Sequence, residues 1–202
     1  MANPTRVYLE VRAKRVFAGA ADWPGWCRAG KDESLALGAL VAYAPRYGRV
    51  VKLAKIDLPK DATKFDVVER LRGNATTDFG APGVPAKAES KPITKAQLYR
   101  LIDLLEACWK YLDQVRAKAP NELRKGPRGG GRDRDKMYQH VLDAELEYGK
   151  RIGVQLKSPD RRALLEGLRN PAPNPKWPVA YVIRRTAWHA LDHAWEIEDR
   201  IP

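Results

Sequence analysis

The sequence predicts an α+β protein, in which a ββαβ-like N-terminal domain precedes an all-α four-helix bundle. Apolar residues alternate with polar ones near the N-terminus, a period of two that is typical of half-buried strands. In the second half they recur at helical spacing in four successive segments without an intervening strand, which indicates a helix bundle. Glycine and proline interrupt the stretch between the two halves. We therefore place the domains at 1–72 and 93–202, joined by a linker at 73–92.

The N-terminal domain is expected to contain four strands and one helix. Asp32 is a suitable N-cap for a helix whose apolar residues run from 35 to 43, and Pro45 and Gly48 are expected to end that helix. Two strands precede this helix and two follow it. They are predicted at residues 7–11, 16–18, 50–56 and 65–71.

Local signals mark the helices of the predicted bundle. Thr94 and Gln97 form a capping box at the start of the first helix, which is expected to stop before Pro120. Ser158 is expected to cap the short third helix, with Pro159 in its first turn. The second and last helices are expected at about 134–152 and 178–199.

The chain is basic, and its excess charge lies in two segments. It holds 37 Lys and Arg against 25 Asp and Glu, a net charge of +12. Residues 1–60 contain 11 basic and 5 acidic residues, and the predicted loop region 116–136 contains 8 and 3. A basic surface can attract nucleic acid. Residues 137–202 are nearly balanced, so their function needs an explanation other than charge.

Several protein classes are excluded by the sequence. No run of about 18 apolar residues exists to cross a membrane, and the N-terminal residues lack a secretory signal. Cys27 and Cys108 stand in unlike contexts, so we expect no disulfide framework and a reducing, cytoplasmic location. The sequence has no P-loop, GxGxxG turn or Ser-His-Asp arrangement, which argues against nucleotide chemistry.

The three histidines of the chain all fall in predicted helices of the bundle. His189 and His193 are four residues apart on the last helix, so both rings point the same way and can reach one ion. His140 lies in the second helix, where a facing position would add a third nitrogen. Three imidazoles with a water would form an open site for a divalent ion, and Zn, Ni, Mn, Co and Fe all suit such donors. The alternative is that these are ordinary core or surface histidines.

Charged neighbours on the last helix suggest further roles at such a site. Arg185, Asp192 and Glu196 lie on the same broad face as the histidine pair. Asp192 or Glu196 could move a proton, and Arg185 could hold an anionic substrate group. The alternative is a solvated outer face. Trp188 and Trp195, one heptad apart, are expected to pack as core on an adjacent face.

The segment RRTAWHALDHAWEIEDR, with MYQHVLDAELEYGKRIG upstream, resembles the DinB-like superfamily of metal-binding four-helix bundles. That family is also similar to mycothiol- and bacillithiol-dependent enzymes. Its pattern has one histidine on the second helix and an HxxxH pair on the last, so the resemblance implies that His140, His189 and His193 bind the metal. It covers residues 91–202. It implies a metal-dependent hydrolase, or a thiol-dependent transferase or isomerase.

The N-terminal segment YLEVRAKRVFAGAADWPGWCRAGKDESLALGAL is similar to HicB-like antitoxin domains. The likeness covers residues 5–57. It depends on the strand order and on the DWPGW turn, and it includes no catalytic motif.

Two functions are therefore compared. The first, which we favour, is a metal-dependent enzyme acting on an unknown small molecule, with a low-molecular-weight thiol as a candidate co-substrate. The second is a non-catalytic module that binds nucleic acid or an acidic protein through the N-terminal domain and residues 116–136. In that case Trp23, Trp26 and Tyr47 could stack bases, although packing in the core is the expected role of these rings. A homodimer formed through apolar helix faces is a further option, and no membrane partner is expected.

Overall fold

The computed structural model describes residues 4–126 and 130–202 of the chain. A small mixed four-stranded sheet and one long helix are followed by further helices, so the α+β class is confirmed. The strands are β1 (Thr5–Val11), β2 (Val16–Ala20), β3 (Cys27–Gly30) and β4 (Phe65–Arg72). The helices are α1 (Glu33–Val51), α2 (Ala75–Phe79), α3 (Lys95–Lys118), α4 (Arg134–Lys150), α5 (Arg161–Arg169) and α6 (Val179–Asp199).

The sheet has the strand order β3-β2-β1-β4 and is covered on both faces. β1 pairs antiparallel with β2 and parallel with β4. Leu9 and Ala18 belong to the apolar cluster that also contains Leu40 of α1. On the opposite face, Phe17 meets Trp188 of α6 edge-on, with ring centroids 6.3 Å apart. The sheet therefore lies between α1 and α6.

The structure corrects two elements of the predicted N-terminal domain. The strand expected at 50–56 does not form, because α1 continues through Pro45 to Val51 and a 3-10 turn follows at Lys52–Ala54. Tyr47 and Val51 are fully buried, and with Leu40 and Ala44 they complete a helical stripe that faces the sheet. Burial of this stripe outweighs the helix-ending signal of the proline. The third strand is instead β3, which was not predicted.

The C-terminal helices begin and end close to the predicted positions. The capping box of Thr94 and Gln97 is confirmed, with the Gln97 amide donating to the threonine hydroxyl at 3.2 Å. The cap of α5 is Asp160, which accepts from the Ala163 amide at 3.0 Å, so the prediction of a Ser158 cap is wrong. α6 packs along α3 and also against α4. Within the described residues, no helix is both long and apolar enough to cross a membrane.

Apolar contacts run through the sheet and the helices. One cluster of buried side chains includes Leu9 and Tyr47 together with Leu105 of α3 and Leu191 of α6. The predicted linker 73–92 contains α2 and a 3-10 turn at Lys87–Ser90. The domain boundaries at 72 and 93 stay a prediction, and the described core is shared across them.

Candidate metal centre

The three histidines come together between α4 and α6. One ligand atom from each of His140, His189 and His193 lies within 4.8 Å of the other two. The ring centroids are 4.7 Å apart for the HxxxH pair, and 4.9 and 5.2 Å from His140 to His189 and His193. The packing of α4 against α6 thus places the third imidazole opposite the pair on the last helix. This arrangement is compatible with a metal site.

The spacing of the donors fits a single ion. The Nε2 atoms of His189 and His193 lie 3.1 Å apart. Two nitrogens at about 2.0–2.1 Å from a tetrahedral zinc ion would be separated by roughly 3.3 Å, so only a small adjustment of these rings is needed. Imidazole nitrogens also suit nickel, cobalt, iron and manganese. The donor set therefore accepts a divalent cation without selecting one.

Burial favours the neutral form of His189 and His140, which is the form that binds a metal. His189 is 7% exposed, and burial together with His193 and His140 holds its pKa well below the ordinary value. Burial also lowers the pKa of His140, with a smaller contribution from the Arg132 charge. His140 and His193 are only partly buried, so two of the three rings are in contact with solvent.

A carboxylate orients His193. The Nδ1 atom of His193 lies 3.1 Å from one oxygen of Glu196, and this hydrogen bond is the main cause that lowers the pKa of the Glu196 carboxyl. The other Glu196 oxygen accepts from Arg200 at 2.9 Å. Arg200 also donates to the carbonyls of Arg124 and Arg132, at 2.7 and 2.9 Å. A carboxylate behind a ligand histidine fixes the tautomer and turns Nε2 toward the metal.

The other two predicted site residues have different surroundings. Asp192 accepts from Arg28 of β3 at 2.9 Å, so its carboxylate is held in an ion pair between the sheet and α6. Arg185 is 8% exposed and lies against the rings of Tyr148 and Trp188. The catalytic roles assigned to Asp192, Glu196 and Arg185 stay predictions. Both oxygens of Glu196 form hydrogen bonds, one with His193 and one with Arg200, and this arrangement is typical of a carboxylate that orients a histidine.

Three residues near the centre were missed in the sequence. Tyr148 of α4 lies near His189, with ring centroids 6.1 Å apart, and it is two helical turns after His140. Arg200 follows the predicted end of the last helix and was not considered, although its spacing of four residues from Glu196 is typical of a side-chain ion pair. Arg132 belongs to the basic segment, and nothing in its local pattern indicates that its charge acts on His140 and His189.

The two basic segments meet in one groove that borders the centre. A cavity of about 850 Å³ is lined by Arg15 and Arg28 from the sheet region and by Arg124 and Lys125 from the segment 116–136. Asp192 and Glu196 of α6 and the following Arg200 also line it. The three aromatic residues considered for base stacking do not line this groove. Trp23, Trp26 and Tyr47 are buried in the core, so the expected packing role of these rings is confirmed and they are not available to stack bases.

Comparisons with protein-family models, curated proteins and solved structures find no significant match to this chain. The resemblances to DinB-like and HicB-like proteins therefore stay predictions from the residue patterns. The geometry of the three histidines is independent of those resemblances.

Proposed function

We propose that this protein is a DinB-like metal-binding protein that holds one divalent cation through His140, His189 and His193. Under this proposal α3 to α6 form the family's four-helix bundle, and the N-terminal part is a HicB-like domain. The observation that supports it is the convergence of three imidazoles from two helices, with Glu196 behind one of them. We further propose a metal-dependent enzyme, either a hydrolase or a thiol-dependent transferase or isomerase.

The chemistry would be shared between the cation and the side chains around it. A bound divalent ion supplies a Lewis acid that lowers the pKa of a water or thiol. Glu196 holds His193 in one orientation, and the partial exposure of His140 and His193 leaves a path for a small molecule. A low-molecular-weight thiol is the proposed co-substrate of the transferase version.

Metal content is the direct test. The protein is loaded separately with Zn, Ni, Co, Mn and Fe(II), dialysed, and measured by elemental analysis. Close to one ion per chain is expected for at least one metal, and His189→Ala and His140→Ala should each lose it. Gln139→Ala is the matched control, because Gln139 is an exposed neighbour of His140 on α4. A wild type that stays empty, or histidine variants that keep the ion, would contradict the proposal.

A second candidate function, the binding of nucleic acid or another polyanion, is favoured by the basic groove. Lys and Arg contacts to phosphates release counterions, so affinity should fall steeply with salt. A labelled single strand and a duplex are titrated at two salt concentrations against the wild type and an Arg15→Glu, Lys125→Glu double variant. The control is Lys31→Glu, Lys52→Glu, which changes the same charge on exposed residues that do not line the groove. Absence of salt-sensitive binding would exclude this candidate.

A further inference from the structure

We propose that Arg185 anchors an anion-binding site beside the three-histidine centre, and that the ligand of this centre is a small organic anion carrying a carboxylate or a phosphate group. This inference deepens the proposed function and rests on it for the role of the neighbouring metal. The anion site itself is argued from Arg185 and its surroundings.

Arg185 is a buried cation with unpaired donors. It is 8% exposed, and its Nε and Nη1 atoms are buried without a hydrogen-bond partner. Among the residues that the structure describes, no carboxylate forms an ion pair with it. Burial of a charge without a partner is costly. A ligand that pairs with this guanidinium would remove that cost.

The preceding residue shows what a satisfied buried arginine looks like in the same helix. Arg184 pairs with the Glu89 carboxylate, including a contact at 2.7 Å, and donates to the Tyr8 hydroxyl at 2.5 Å and to the Val84 carbonyl at 3.1 Å. The chain therefore supplies acceptors for one of two adjacent buried arginines. Arg185 points to a different environment, on the side of the histidines.

Aromatic rings surround the Arg185 charge without satisfying its N–H groups. The guanidinium carbon lies 4.8 Å from the Trp188 ring centre and 5.5 Å from that of Tyr148. Cation–π contacts of this kind stabilise a positive charge. The Tyr148 hydroxyl is an oxygen that Arg185 reaches, but Nε and Nη1 are buried without a partner. These two donors stay available for a ligand with acceptor atoms in the plane of the guanidinium.

His189 adds a second unpaired group in the same place. It is one helical turn after Arg185, and its ring lies near the same two aromatic residues, with centroids 6.1 Å from Tyr148 and 5.8 Å from Trp188. Its Nδ1 atom is buried and has no partner. When Nε2 binds a metal, Nδ1 carries the proton of the neutral ring and becomes a donor. Both residues then require acceptor oxygens.

The surroundings indicate an organic anion. Trp177 extends the aromatic wall, with its ring centroid 5.7 Å from that of Tyr148. Ligand sites of this kind combine apolar walls with a few polar groups that fix orientation. A carboxylate or phosphate on Arg185 would leave the body of the molecule against these rings and within reach of the histidine centre.

The test uses three probes on the 202-residue chain by isothermal titration calorimetry. Benzoate is the carboxylate with an aromatic body, inorganic phosphate is the phosphate, and benzamide is the neutral control. We expect benzoate or phosphate to bind and benzamide to bind at least tenfold more weakly. Arg185→Gln should weaken the anion roughly ten- to hundredfold, as loss of a hydrogen bond to a charged group does. The matched control is Arg162→Gln, because Arg162 is an exposed arginine on α5, away from these rings.

Thermal unfolding without ligand separates a ligand-binding arginine from a structural one. If Arg185 serves to bind an anion, Arg185→Met should keep or raise the Tm of the ligand-free protein, because the substitution removes an unpaired buried charge. A Tm several degrees lower for both Arg185→Met and Arg185→Lys would indicate a structural role and overturn the inference.

The calorimetry is repeated on metal-loaded and chelator-treated protein, so that the two proposals can fail separately. Metal binding without any Arg185-dependent anion binding overturns this inference and leaves the metal centre. Arg185-dependent anion binding in a protein that takes up no metal overturns the proposed metal function and leaves the anion site. Equal binding of benzamide and benzoate overturns the inference as well. Whether benzoate or phosphate binds more tightly assigns the anionic group.

Discussion

His193 and Glu196 form a hydrogen-bonded pair on one turn of α6, with Nδ1 and a carboxylate oxygen 3.1 Å apart. The other carboxylate oxygen is held by Arg200, so Glu196 cannot turn away without breaking a second contact. The imidazole ring of His193 is thereby fixed with Nε2 toward His189.

Glu196→Gln should weaken metal binding. The neutral amide is a poorer acceptor for the His193 N–H, and loss of a partner behind a ligand histidine typically costs 10- to 100-fold in metal affinity. Competition with a chromophoric chelator measures the change. Glu147→Gln, an exposed carboxylate on α4, is the control. Equal affinities of the wild type and Glu196→Gln would show that Glu196 does not support the ligand.

The ion pair between Arg28 and Asp192 should contribute little to stability. Its side chains are 20% and 33% exposed, and pairs with such access to solvent are worth about 0–1 kcal/mol. A double-mutant cycle of Arg28→Gln and Asp192→Asn in urea unfolding gives the coupling energy. A coupling energy well above about 1 kcal/mol would contradict this prediction and show that the pair contributes strongly to holding α6 against the sheet.

Glu10 should be important for attaching residues 73–84 to the sheet. Its carboxylate is fully buried and accepts from the Gly83 amide at 2.8 Å, the Val84 amide at 3.2 Å and the Thr77 hydroxyl. Glu10→Ala leaves these donors unpaired, so a loss of about 3 kcal/mol in the free energy of unfolding is expected. Urea unfolding measures this loss, and amide exchange in 73–84 should accelerate. Asp66→Ala, at an exposed position on β4, should change neither measurement.

Cys27 should make stability fall at alkaline pH. Burial raises the pKa of its thiol to about 12, above the value of about 8.5 for an unfolded thiol. The unfolded state therefore loses its proton first as the pH rises, and the stabilisation present below about pH 8.5 is lost progressively toward pH 12. Across this window, the free energy of unfolding of the wild type should fall more steeply with pH than that of Cys27→Ala. Thiol reagents should also react with Cys27 far faster in denaturant than in the native protein.

Local patterns predicted the helices better than the sheet. The capping box of Thr94 and Gln97 lies within one turn of chain, so its outcome depends on nearby atoms. β3 was missed because Cys27–Gly30 is short and follows a turn-rich segment, and its pairing with β2 is a tertiary contact. The end of α1 was misplaced because burial of Tyr47 and Val51 outweighed a local proline signal.

The candidate site was predictable only in part for the same reason. The spacing of His189 and His193 sets their common direction, and helix geometry alone predicts it. The approach of His140 depends on how α4 packs against α6, which no single segment specifies. Likewise, the sequence placed Arg185 on the same broad face as the histidine pair but could not show that its guanidinium lacks a carboxylate partner while Arg184 has one.

Arg200 connects the histidine centre to a distant part of the backbone. It donates hydrogen bonds to the Glu196 carboxylate and also to the carbonyls of Arg124 and Arg132, which lie within the basic segment 116–136. A single side chain is therefore hydrogen-bonded both to the carboxylate behind His193 and to the backbone beside the groove, so its removal would leave Glu196 and both carbonyls without this donor.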